Sequence, residues 1–496
     1  MDDELLRRLR AAIGSLESIG ADWSLLESLP EEDRKRLHKA VAAIHNPDRI
    51  ARRKRQKEIK RERRLEAIRR EEDILHGTGI RELRRKAVFT TPNVFAPKSL
   101  PRVPPPGASA GEQHCYVCKQ AYTQLHHFYD QLCPACAEFN FFKRTELADL
   151  RGRVALLTGG RVKIGYQAGL KLLRCGAELV VTTRFPRDSA ARYAQEPDFE
   201  HWRDRLEIYG LDLRHTPSVE SFCRHMLETR DRLDFIVNNA CQTVRRPPEF
   251  YEHMLAAEAA SLAGLSEPAR GLLGGYEGLR GDRLVPPDAL AALSGLTHAP
   301  ELSQVALLPE ERAARRELFP AGRLDQDLQQ VDLRGRNSWR LLLAEVPAVE
   351  LLEVHLVNAI APFVLNARLK PLMLKTPGRD KHIVNVSAVE GQFYRRCKTT
   401  RHPHTNMAKA ALNMMTVTAS RDFVKDGIFM NAVDTGWVTD EDPAIHADRK
   451  RAELDFQPPL DIVDGAARVL DPVFSGHNTG EHVWGKFLKD YLPAQW

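Results

Sequence analysis

The chain has 496 residues, of which 43% are apolar and 28% charged, with a net charge of +6. Such a chain holds two or three domains and at least one sizeable core, and its composition is that of a soluble globular protein. The positive excess is local, since Arg52 to Arg70 carries eleven Lys/Arg against three Glu, and this excludes a nucleic-acid surface spread over the whole protein.

No run of eighteen apolar residues occurs, so no membrane span is expected. The start, Met1-Asp-Asp-Glu-Leu-Leu-Arg-Arg, has no signal-peptide core. Of eight cysteines, four cluster and four (Cys175, Cys223, Cys241, Cys397) are scattered. That usage fits a reducing, cytoplasmic setting with a metal site better than a disulfide framework.

Residues 1–86 read as a charged helical region. Leu5, Leu6, Leu9, Ile13 and Leu16 recur at helical spacing, and Pro30-Glu-Glu-Asp opens a second helix with acids in its first turn. Arg52 to Leu75 is a third, long helix. Its basic run at 52–70 is read as a solvated face with i,i+4 ion pairs, ahead of a protein or nucleic-acid contact. Residues 87–113, with Pro104-Pro-Pro-Gly107, read as an extended linker.

Residues 114–149 form the next unit. Cys115-Tyr-Val-Cys118 and Cys133-Pro-Ala-Cys136 are two CxxC pairs separated by fourteen residues. Each pair can turn two thiolates onto one ion, and four sulfurs close a tetrahedral zinc site with no open position, hence a structural one. His114, His126 and His127 are superfluous to such a site and are read as surface or packing residues. Phe139 to Phe142 is expected to pack this module onto the next domain.

From residue 150 to 496, strand-like runs alternate with helical ones. The strands expected are Val154–Leu157, Leu179–Thr182, Leu206–Tyr209, Phe235–Val237, His382–Val386, Phe429–Val433 and Glu481–Trp484. The alternation predicts a doubly wound α/β fold with a parallel sheet. The first strand ends in Thr158-Gly159-Gly160-Arg-Val-Lys163-Ile164-Gly165, a strand, tight turn and helix start whose backbone N–H groups can hold a phosphate.

Several stretches in this region resemble, in order, the motifs of the short-chain dehydrogenase/reductase family, a Rossmann-fold group of NAD(P)-dependent enzymes. The likeness covers about residues 150–250 and 350–496. The turn at Thr158 looks like TGxxxGxG, with Lys163 where the family usually has glycine. Leu211-Asp212-Leu213 lies where the family carries an Asp beside the adenine. Asn238-Asn239-Ala240-Cys241 looks like NNAG. Asn358 and Ser387 match the asparagine and serine of the catalytic tetrad, and Ala408-Lys409-Ala410 matches its lysine segment. Asn431-Ala-Val-Asp-Thr-Gly436-Trp-Val-Thr439 resembles the loop that touches the nicotinamide amide. The resemblance implies cofactor contacts from Thr158, Gly159, Lys163, Ile164, Gly165, Arg184, Asp212, Asn239, Ala240, Lys409, Gly436 and Thr439.

After the second strand stand Arg184 and Arg187, with no acid to bond a free ribose 2′-hydroxyl. This points to NADP, with NAD possible and two exposed arginines of no such role as the alternative. Lys163 crowds the turn but is long enough to reach a phosphate.

The family's tyrosine, four residues before the lysine, is missing: Thr405 stands there. An aliphatic hydroxyl is a far weaker acid than a phenol with its pKa near ~10. Three readings stay open. His404, His402 or Tyr394 supplies the proton; Ser387 and a water suffice; or the domain binds a dinucleotide without turnover. The catalytic set expected is therefore Asn358, Ser387, Thr405 and Lys409, acting on a small-molecule carbonyl or alcohol. The alternative is a silent dinucleotide-binding scaffold or sensor that engages a protein or nucleic acid through the zinc module and basic helix.

A large insertion at about 245–345 adds about 90 residues to one connection. It has helical patches at Tyr251–Ala263, Glu310–Leu318 and Trp339–Leu343. It is read as a lid over the site or an oligomer contact. Long helices near 350–374 and 405–424 are those that pair in the family's homo-oligomers.

Overall fold

The computed structural model describes residues 3–45, 49–85, 107–281, 295–308, 311, 316–325, 329–376, 378–394, 398–439, 441, 443 and 457–496. Residues 87–106 of the expected linker, Pro286-Pro287 and Cys397 lie outside them. The chain divides into two compact units, 1–73 and 74–496.

The first unit contains helices Asp3–Ala21, Ser24–Glu27 and Glu31–His45 and most of Arg49–Leu75. Among its described residues only Leu26 is buried. Leu5, Leu9, Ile13 and Leu16 form an apolar stripe that is exposed. In the long helix Arg70 pairs with Glu66 at 3.1 Å in open solvent, the kind of i,i+4 pair a solvated face carries.

The second unit begins earlier than the expected boundary at 86. Helix Gly79–Arg85 belongs to it: Ile80 is fully buried, and Arg81 binds the buried Asp130. The expected linker also ends sooner than 113, because Ala108–His114 (β1) pairs antiparallel with Ala121–Gln124 (β2).

The main sheet has eight strands: β3 (Val154–Thr158), β4 (Glu178–Thr183), β5 (Leu206–Gly210), β6 (Phe235–Asn238), β7 (Lys381–Ser387), β8 (Ile428–Asp434), β9 (Phe487–Lys489) and β10 (Leu492–Ala494). Their order is β10-β9-β8-β7-β6-β3-β4-β5, parallel except for the antiparallel edge strand β10. β3 and β6 are buried at every residue, which is why they read as unbroken apolar runs: both faces are covered by helices. Lys163–Arg174 packs with Ile462–Thr479, and Thr216–Thr229 packs with Ala361–Lys375. The strand expected at Glu481–Trp484 is displaced to Phe487–Lys489. Gly485 turns the chain with φ +63°, and the strand starts after it.

The segment Ala348–Lys375 is long and apolar enough by length and composition to cross a membrane. One side of it packs against the sheet, where its Asn366 accepts from the strand side chain Asn238 at 2.9 Å. Asn238 also donates to Asn385 (2.8 Å), which donates to Thr416 (2.9 Å). This buried chain of amides ties β6 and β7 to two helices.

The insertion is more broken than expected. Tyr251–Ala263 becomes helix Glu252–Ala259 and a short turn, Arg316–Leu318 and Ser338–Arg340 are single 3-10 turns, and residues 310 and 312–315 lie outside the described chain. It covers the outer edge of β5: Leu272 O accepts from Ile208 N at 2.9 Å and Gly295 O from Asp212 N at 2.7 Å. Tyr276 lies so close to Gly210 that a Cβ there would come within 2.6 Å of its ring. An open strand edge is thereby closed.

Candidate active site

A cavity of about 910 Å³ opens at the C-terminal ends of β3, β4, β5 and β6, where the strand order reverses. That crevice is the place such sheets offer to a ligand.

The glycine turn forms one wall. Gly159 has φ +70° and lies so close to Ala240 that a Cβ would sit 2.9 Å from its Cα. Gly165 has less room still: a Cβ would meet Gly159 O at 2.1 Å and Asn239 Nδ2 at 2.4 Å. Asn239 Nδ2 donates to the carbonyls of Thr158 (3.0 Å) and Gly159 (3.1 Å), and Ala240 N donates to Thr158 Oγ1 at 3.0 Å. The NNAC loop therefore fixes the turn. Lys163 has φ +55°, a left-handed conformation that suits glycine, so the lysine is held at a backbone cost. Lys163, Ile164 and Gly165 face the cavity at the start of helix Lys163–Arg174, where an anion is favoured.

At the far end lie Arg184 and Asp212. Asp212 is buried and bound by Arg214 at 2.7 Å; burial opposes its charge, but Arg214 outweighs burial and holds it below the usual carboxylate range. Arg214 also pairs with Glu353 at 3.0 Å. Arg184 has no ion pair among the described residues and donates to Tyr251 Oη at 2.7 Å. Arg187 is not in the cavity. It is buried against Glu277 (3.1 Å) and Ala260 O, so the second arginine of the cofactor expectation holds the insertion instead.

The tetrad end is different. Asn358, Ser387, Thr405 and Lys409 are all buried and none lines the cavity. Asn358 sits in a π-helical turn and exchanges hydrogen bonds with the backbone of Gln242 (2.7 and 3.1 Å). Ser387 Oγ donates to Asn413 Oδ1 at 2.6 Å, and Lys409 Nζ donates to Val386 O at 2.7 Å. Thr405 Oγ1 is buried without a partner. None of the substitute donors lines the cavity. His404 faces Glu350 at 3.3 Å, His402 is stacked on Trp339 at 4.0 Å, and Tyr394 is exposed. Thr158 and Gly436 also stand behind the cavity wall; Gly436 turns with φ +75° and donates to Asp434 at 2.9 Å.

Thr439 does reach the cavity, and its hydroxyl donates to Glu441 at 2.8 Å. Glu441 is an acid that sequence reasoning missed. Burial would raise its pKa, but Lys163 and its hydroxyl donors hold it below the usual glutamate range. Tyr251 and Asn413 were missed too. Only Asn413 had a signal, as the residue four after Lys409 on the same helix face.

The four cysteines come together. Their sulfurs lie within 4.8 Å of one another, and Cys118 and Cys133 are 3.6 Å apart. Tetrahedral zinc with bonds near ~2.3 Å needs sulfurs about 3.8 Å apart, so the set fits the ion. A left-handed turn at Lys119 (φ +64°) brings its N–H to Cys115 O at 3.0 Å. His126 is a packing histidine: its Nδ1 accepts from Phe128 N at 3.1 Å. Of the stretch expected to dock the module, Phe142 is exposed, Phe139 meets the ring of Tyr491 edge-on at 5.5 Å while staying partly open, and Phe141 joins the apolar cluster with Val438 and Leu460. Polar residues add to the contact. Arg144 grips Asp461, the N-cap of helix Ile462–Thr479, at 2.6 and 2.9 Å, and Tyr129 donates to Asp464 at 2.5 Å. The module's apolar core also takes in Ile164 of the turn and Val438 and Leu460 beside the cavity.

Residues 153–259 match the family model of short chain dehydrogenases. An uncharacterized protein, R665, of Acanthamoeba polyphaga mimivirus is 29% identical over 376 residues, 73% of this chain and 71% of that one. Dehydrogenase/reductase SDR family member 13 of Bos taurus is 34% identical over 105 residues; the match covers 20% of this chain and 28% of the relative's length. A short chain dehydrogenase of Burkholderia cenocepacia in complex with NADP is similar in structure, with 19% identity and a TM-score of 0.41, over 68% of this chain and 96% of that one. Within residues 153–259 the α/β domain that starts at β3 is thus similar to the short chain dehydrogenases.

Proposed function

We propose that the chain is an NADP(H)-dependent oxidoreductase that moves hydride to or from a carbonyl or hydroxyl carbon of a small molecule. The single observation that carries this reading is the cavity: a glycine turn at a helix start, with an arginine that makes no ion pair among the described residues at its other end. When bound, the nicotinamide supplies or accepts the hydride. The chain's work is to hold it. Gly159 to Gly165 take the pyrophosphate on backbone N–H groups and Lys163, Arg184 takes the 2′-phosphate, and Asn239, Ala240 and Thr439 bound the rest. Ser387 orients the substrate oxygen after exchanging its bond to Asn413, and water passes the proton, since Thr405 is too weak an acid. Lys409 and Asn358 support that water.

The second reading is binding without turnover. It is favoured by the inward bonds of Ser387 and Lys409 and by the burial of Thr405. NADPH titration followed by a carbonyl panel separates them. Binding with consumption that falls in Lys409→Ala supports the enzyme; binding with no consumption in either protein supports the scaffold; no binding of either nucleotide ends both.

Cys115, Cys118, Cys133 and Cys136 hold a structural zinc in this proposal, and a reducing compartment such as the cytoplasm keeps them available. Leu352, Ile360, Phe363, Met407 and Met414 are exposed on the two long helices and would join two copies, for which Phe363→Asp with Met414→Asp should yield a monomer by light scattering.

A further inference from the structure

We infer that Tyr251, delivered by the start of the insertion, is a positioning and specificity residue for a 2′-phosphorylated adenosine, and that this part of the insertion is a clamp on the cofactor. The inference rests on the cofactor reading above and says which side chains make the choice between NADP and NAD.

Tyr251 is buried yet lines the cavity. Its phenol oxygen accepts from Arg184 Nη2 at 2.7 Å, and the same guanidinium lies 4.6 Å from its ring centre. Arg184 is thus fixed in both direction and distance by one side chain. Arg214 and Arg246 also face the phenol, and the three cations together draw its pKa down against the effect of burial. Arg214 is satisfied by Asp212 and Glu353, and Arg246 by Asp332. Those two therefore supply field, while Arg184 keeps donors for a ligand. A dianionic phosphate beside the phenol meets one oriented guanidinium and the field of two more. A ribose hydroxyl there gains much less.

The anchoring of the ring fits this role. Phe185, next to Arg184, packs on Tyr251 with ring centres 5.1 Å apart, and Phe250 and Phe319 close the cluster. Behind it, Glu258 accepts from the backbone N–H groups of Arg187 and Asp188 at 3.2 and 2.9 Å. The insertion is therefore bolted to the helix that follows Arg184.

The test compares 2′,5′-ADP with 5′-ADP, and NADPH with NADH, on the full chain and on Tyr251→Phe. Loss of one hydrogen bond to a charged group should weaken 2′,5′-ADP and NADPH about tenfold and leave 5′-ADP and NADH unchanged. In the native chain, 2′,5′-ADP should slow amide exchange across 248–259 and 5′-ADP should not. Equal loss for all four nucleotides in Tyr251→Phe, or no loss, overturns the inference, as does equal protection by both diphosphates in the native chain. A native chain that binds no nucleotide is a separate result: it overturns the cofactor reading on which this one stands.

Discussion

The two ends of the crevice teach opposite lessons. At the glycine turn and Arg184, the sheet opens and polar groups face a cavity. At Ser387, Thr405 and Lys409, the same sheet closes and each of the bonded groups is turned inward. Family resemblance gives both ends equal weight, yet only the first is arranged to receive a ligand as it stands. The binding half of the fold is therefore the half on which the strongest expectations can be built.

The largest expected effect comes from taking away what holds the binding end in place. If zinc closes the four-cysteine site, its removal by a chelator should cost on the order of 10 kcal/mol of local folding free energy. The module's core includes Ile164, Val438 and Leu460, so nucleotide binding should fall with it. Metal analysis should find one zinc per chain, and none in Cys115→Ser with Cys133→Ser. Cofactor binding untouched by complete zinc loss would break the link between module and turn.

Gly165→Ala strikes the turn itself. Its Cβ has nowhere to go between Gly159 O and Asn239, and overpacking of this kind costs about 3 kcal/mol. A lower Tm and the loss of NADPH binding should appear together. At the closed end the pattern should invert. Ser387→Ala removes one buried hydrogen bond, about 1 kcal/mol of stability, and should leave the NADPH Kd alone while any turnover drops. A changed Kd would mean that Ser387 faces the cofactor after all.

These contrasts mark what could be read in advance. β3 and β6 were plain as continuous apolar runs, since burial on both faces leaves no room for alternation. β9 was misplaced because the apolar letters of His482-Val-Trp484 precede a left-handed turn at Gly485, which no periodicity reveals. The metal cluster was legible because ligand spacing is local chemistry. Arg184 was legible as a cation without an acid after its strand, whereas its partner Tyr251 lies 67 residues on, in a segment with no family pattern. Arg187 looked the same in sequence, and only packing against Glu277 distinguishes the two. The missing phenol at Thr405 could be seen at once; that Ser387 turns to Asn413 could not.

A histidine cluster around the buried His382 and the buried Glu258 should give opposite pH dependence. His382, His477 and His482 are held below the usual histidine range by burial first, with repulsion from neighbouring histidines adding at His382 and His477. They favour the fold above their unfolded pKa, near ~6.5, and that contribution is lost as pH falls; Asp380 softens the effect and Arg153 adds to it. Glu258 is pushed up to about 7 by burial. Its contribution is full below its unfolded value, near ~4.3, and is lost as pH rises through about 7. Global Tm should therefore fall toward pH 5, while amide protection across 252–259 should weaken toward pH 8. Glu258→Gln should remove the second trend and keep the first.

The smallest effect sharpens the comparison most, because it separates strain from binding at one residue. Lys163 holds a left-handed backbone, φ +55°, where a glycine would be relaxed. Lys163→Gly should relieve about 1 kcal/mol of strain, offset in part by the greater chain entropy of glycine in the unfolded state. The same change removes a cation from the turn and from the side of Glu441. Tm should hold or rise by a degree or two while the NADPH Kd rises several-fold, an effect that salt should shrink. A variant that is both more stable and a tighter binder would show that the lysine only crowds the turn, and the phosphate role assigned to it would go.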